Sequence, residues 1–124
     1  MIVGAVSALI AFFTGFENIS SSSSEQLIVE LWRLFGFIVF SGIFALLALK
    51  PEQYVGIWEI AIFHKLAMAI SAIVLIPNVE DAIYIAIVDG ILVILLLTAY
   101  LLTGSYTSWR VFTRGKSNNR NAPV

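Results

Sequence analysis

Four apolar runs, each near the length needed to cross hydrocarbon, constrain this chain more than any other feature. A membrane-spanning helix needs roughly 20 apolar residues. Runs at about 2–19, 27–49, 51–76 and 79–103 follow one another with only short polar breaks. The fold they predict is all-α, an integral membrane four-helix up-down bundle over residues 1–104 with a basic tail at 105–124. A soluble domain of 124 residues needs a charged surface, and this chain is 60% hydrophobic and only 12% charged. The net charge of −1 supplies no basic face for nucleic acid. Cysteine is absent, which excludes disulfides and thiolate-held metal clusters. His64 is the single histidine, so one chain cannot hold a bis-histidine haem.

Local signals mark where each run begins and ends. The first, extended to Ile19, gives about 18 residues or roughly 27 Å, barely a span. It has no basic leader and no small-x-small site before Glu17, which predicts a retained helix rather than a cleaved signal. Gly4, Ala8, Ala11 and Gly15 share one face, where small residues permit close helix approach. Asn18-Ile19-Ser20 matches a glycosylation acceptor, but its place in a serine-rich turn beside the membrane favours a chance match. Ser22 or Ser23, with Glu25 or Gln26 three residues on, reads as a capping box for the second helix. Pro51 and Glu52 suit the first turn of the third. Asn78, Glu80 and Asp81 suit the start of the fourth, and Gly104 its end. The polar residues 115–124 predict disorder.

Charge sets an orientation. Arg110, Arg114, Lys116 and Arg120 follow the last run, and Lys50 lies on the same side if the chain crosses four times. The first loop carries Glu17 and Glu25, the third Glu80 and Asp81, with no Lys or Arg in either. The positive-inside rule then predicts both termini in the cytoplasm and disfavours dual topology. Trp32 and Tyr84 fall towards the outer interface, and Tyr54, Trp58, Tyr100 and Trp109 towards the inner one.

Six ionisable residues interrupt the spans: Glu30, Arg33, Glu59, His64, Lys65 and Asp89. A charged residue at a helix centre costs about 2.5–3.5 kcal/mol on insertion, so such groups face the interior and find partners. Counting about 1.5 Å per residue from the outer surface puts Arg33 about 9 Å deep and Asp89 about 11 Å. His64 and Lys65 fall near the midplane, and Glu59 lies one turn inside the inner surface. Arg33, Lys65 and Asp89 can then meet in the outer half, and Glu30 can pair locally with Arg33. Plainer readings stand beside these: a snorkelling interfacial Glu30–Arg33 pair, a structural Glu59, a packing His64, and a Lys65–Asp89 bridge that only locks two helices.

The segment Glu30-Leu-Trp-Arg33-Leu-Phe-Gly36, with Gly42 beyond it and Asp89-Gly90 in the last helix, resembles the DoxX-like small four-helix membrane proteins. The resemblance runs from Glu30 to Leu102 and rests on a short motif. It implies a compact bundle with a polar pocket, in a group whose members include accessory parts of membrane redox complexes. A more distant similarity runs to the sterol isomerase and sterol-binding four-helix membrane proteins, which place carboxylates in an apolar cavity.

Three functions fit these residues. The first is a pocket within the bilayer that binds or converts a hydrophobic small molecule, such as an isoprenoid, sterol-like or quinone-like compound. Apolar surroundings disfavour a charged carboxylate and suit general-acid work. Asp89, Glu59 and His64 are then the candidate catalytic groups, for isomerisation, cyclisation or epoxide opening, and Lys65, Arg33 and Glu30 the candidate ligand contacts. The second is a non-catalytic accessory subunit of a larger membrane complex, docked through the small-residue face of the first helix. The third is a proton-coupled transporter, in which four helices need a homo-oligomer, a dimer, to build a pathway. The fixed orientation disfavours the antiparallel kind, and the halves show no inverted repeat. Phosphate loops, Ser-His-Asp arrangements and His-x-x-x-His spacing are absent, so no cofactor or metal site is predicted.

Overall fold

The computed structural model describes residues 1–75, 78–79 and 81–110. It contains α1 (Ile2–Ser21), α2 (Leu27–Leu49), α3 (Ile57–Val74) and α4 (Ala82–Leu102), then a single 3-10 turn at Ser105–Thr107. Every regular element among the described residues is helical, so the fold is all-α. All four long helices have the length and apolarity to cross a membrane. Lipid offers no hydrogen-bond partner to a bare peptide group, and a helix satisfies its own. Residues Ile76, Pro77, Glu80 and 111–124 lie outside the described residues, and with them the expected disorder of the tail and its cations Arg114, Lys116 and Arg120.

The chain divides into two compact units, residues 1–49 and 50–124. In the first, α1 and α2 form an antiparallel hairpin. Gly4 sits against Phe44 and Gly15 against Leu34, where an added Cβ would come within 3.1 Å and 3.0 Å of those side chains. Leu34, Phe44 and Leu47 are buried on the facing side of α2. Ser41 Oγ donates to the Ala5 carbonyl at 2.9 Å, a polar stitch between the helices. Two members of the small-residue face of α1, Gly4 and Gly15, thus pack against α2 within the hairpin. The expected capping box takes a looser form: Gln26 N–H bonds to the Ser23 carbonyl at 3.0 Å, and the Ser23 hydroxyl donates to the Gln26 side chain at 3.4 Å.

In the second unit, α3 and α4 pair antiparallel. Trp58, Ala61, Ala69 and Ala72 form the buried stripe of α3. Ala82, Asp89, Val93 and Leu96 form that of α4. The alanines keep α3 slim, so the two backbones approach closely.

Two boundaries differ from expectation. The third helix begins at Ile57 rather than Pro51. Proline fits position i+1 of a β-turn as readily as a first helical turn. Here Lys50–Gln53 closes as a turn (Gln53 N–H to Lys50 carbonyl, 3.2 Å). Gly56 then adopts φ +90, a conformation that stops a helix from extending through it. The fourth helix begins at Ala82 rather than near 79, because Ala82 N–H bonds back to the Val79 carbonyl at 3.1 Å and Asp81 sits at φ 67. At its far end, Gly104 takes φ 66 just past the C-cap, as its place in the sequence predicts.

Candidate functional site

The second unit carries two polar clusters, one midway along the hairpin and one at its end. Lys65 continues the α3 stripe of Trp58, Ala61, Ala69 and Ala72 at helical spacing, and Asp89 lies within the α4 stripe. The facing stripes bring Lys65 Nζ to 2.8 Å from Asp89 Oδ1, with side chains only 12% and 10% exposed. This is a charge-assisted bond between helices, in surroundings where neither group reaches water easily.

The second cluster forms where α3 begins and α4 ends. Glu59 stands in the first turn of α3, where the helix dipole favours negative charge. Its Oε1 accepts from the Tyr100 hydroxyl at 2.6 Å and from Trp109 Nε1 at 2.7 Å. Beneath it Trp58 is buried, its indole N–H donating to the Pro51 carbonyl at 2.8 Å. Ser105 Oγ donates to the same carbonyl at 2.9 Å, and Ser108 Oγ to that of Glu52 at 2.8 Å. Segment 51–56 is thus clasped to the residues that follow α4. The rings follow one another in series, Trp58 tilted against Tyr100 at 5.8 Å and Tyr100 edge-on to Tyr106 at 6.2 Å.

Of the residues singled out in the sequence, Lys65 and Asp89 are brought together, and Glu59 forms a centre of its own. His64 is exposed on the helix, next in sequence to Lys65. Glu30 and Arg33 form an ion pair one turn apart on α2, within the first unit. Tyr100, Trp109, Ser105 and the Pro51 carbonyl were not anticipated as partners of one centre. The signal was present: in an antiparallel hairpin, a residue near the start of α3 lies level with one near the end of α4. Among the described residues, no three His, Asp or Glu side chains converge as a metal site.

Together these features define a small all-α integral membrane protein with polar groups placed inside and at the end of a helical hairpin. Comparison with models of known protein families, with curated protein sequences and with solved structures returned no match.

Proposed function

We propose that this protein binds a lipid-soluble small molecule that has a polar end, and that Glu59 grips that end. The observation that carries this reading is the arrangement of the Glu59 carboxylate. The side-chain donors Tyr100 and Trp109 both go to Oε1, so neither of them engages Oε2. A carboxylate whose side-chain donors share one oxygen keeps acceptor capacity on the other. Its position at the end of an apolar hairpin suits an amphiphile with its tail in hydrocarbon.

The geometry favours binding over acid catalysis by Asp89, because that carboxylate already accepts from the Lys65 ammonium. In this reading Lys65 and Asp89 fasten the hairpin and do not contact ligand. The isoprenoid, sterol-like and quinone-like compounds remain the substrate classes, and kinship with the DoxX-like proteins is part of the proposal through the Glu30–Gly36 segment. So is the orientation, with both termini cytoplasmic and Glu59 at the inner leaflet.

A second reading, the accessory subunit, draws on the closed Glu30–Arg33 and Lys65–Asp89 pairs, which look like packing devices. Gentle purification from the native membrane followed by mass spectrometry separates the two. A stoichiometric lipid-soluble compound, lost in Glu59→Gln, is the expected result. Stoichiometric partner proteins and no such compound would replace binding with the accessory role.

A further inference from the structure

We infer that the polar end held at Glu59 is an ammonium group. The inference rests on the binding reading above and names the chemistry of its ligand. Three observations converge. Neither ion pair among the described residues involves Glu59; they join Arg33 to Glu30 and Lys65 to Asp89. Its Oε2, used by neither Tyr100 nor Trp109, is therefore a negative acceptor that neither ion pair neutralises. Tyr100 and Trp109 bond to it and Tyr106 packs edge-on against Tyr100, and Tyr106 and Trp109 are 49% and 44% exposed. Ring faces attract cations, and an ammonium also donates charge-assisted hydrogen bonds to a carboxylate.

Interfacial aromatic belts alone do not account for this arrangement. In a belt, indole N–H and phenol O–H groups point to headgroups and water. Here both are directed inward, onto one carboxylate oxygen. The backbone supports the same geometry. Trp109 packs beside Gly56, its Cζ2 at ordinary contact distance, 3.8 Å, from the position a Cβ would take. The Ser105 and Ser108 bonds to the 51–52 carbonyls hold the segment that carries Tyr106 and Trp109. A phosphate or sulfate is repelled by the carboxylate. A metal ion finds a single carboxylate, too few ligands for a site. A neutral hydroxyl can bond to Oε2 but gains nothing from the ring faces.

The test uses the full chain in nanodiscs of an uncharged galactolipid, which carries neither ammonium nor phosphate. A Trp32→Phe background leaves Trp58 and Trp109 as fluorescent reporters. The probes are decyltrimethylammonium, decanol, decyl sulfate and tetramethylammonium. Decyltrimethylammonium is expected to bind saturably and about tenfold more tightly than decanol, a difference of about 1.4 kcal/mol. Glu59→Gln keeps an oxygen for Tyr100 and Trp109, so the clasp survives while the ammonium preference disappears. Tyr106→Leu, which removes a ring face without touching the carboxylate, weakens the same preference.

Decanol or decyl sulfate binding as tightly as the ammonium probe, unchanged in Glu59→Gln, overturns the ammonium inference and leaves the lipid-soluble ligand standing. Tetramethylammonium binding as tightly as its decyl analogue supports the cation site but makes its ligand a free amine, which overturns the hydrophobic ligand. No saturable binding of any probe overturns both.

Discussion

Lys65 and Asp89 show what a charge inside a membrane helix demands of its surroundings. Each alone is costly at that depth, and together they make one bond of 2.8 Å between facing stripes. Replacing either alone strands the other. Lys65→Met or Asp89→Leu should therefore destabilise the folded chain by about 3 kcal/mol. The double variant should recover most of that loss, since two apolar residues leave nothing stranded. Thermal unfolding of all four proteins in one detergent gives the coupling energy, and a double variant no better than the singles would deny the pair its fastening role. The pairing was legible in the sequence, because depth along each span can be counted and two opposite charges fell within a turn of each other. The partners of Glu59 were not, because a tyrosine and a tryptophan near an interface already have a sufficient explanation as a belt.

At the scale of elements, each hairpin is built on a stripe of small residues against a stripe of larger ones. In α1 the small side chains are Gly4 and Gly15, and a bulky replacement has no room. Gly4→Ile should cost about 1–3 kcal/mol by driving its side chain into Phe44. Gly56→Ala should cost about 1–2 kcal/mol for a different reason, the positive φ its backbone holds. Circular dichroism melts resolve both, and if Gly56→Ala melts like the parent protein, no strain is held there. Helix positions were legible in the sequence because hydrophobic length is a strong signal. The start of α3 was not. Lys50-Pro51-Glu52-Gln53 satisfies the rules for a helix start and for a β-turn alike, and only Gly56 and the Trp58 indole bond decide between them. The stripe spacing 58–61–65–69–72 was also readable, and it puts Lys65 on the same face of α3 as Trp58 and the alanines.

For the whole molecule, the lack of cysteine makes sidedness easy to measure. Single cysteines at Ser24 and Val79 should react with an impermeant maleimide from outside the cell, and one at Gln53 only after permeabilisation. The reverse pattern would invert the protein and move the Glu59 site to the other leaflet. The Pro51 carbonyl carries a further consequence. It accepts from Trp58, seven residues on, and from Ser105, fifty-four residues on. The first bond can form once α3 has been made, whereas the second must wait for the whole of α4. During synthesis, then, the bond from Trp58 is available before the clasp and before either donor to Glu59. The polar centre that begins in α3 is therefore complete only when the chain has been made through Trp109.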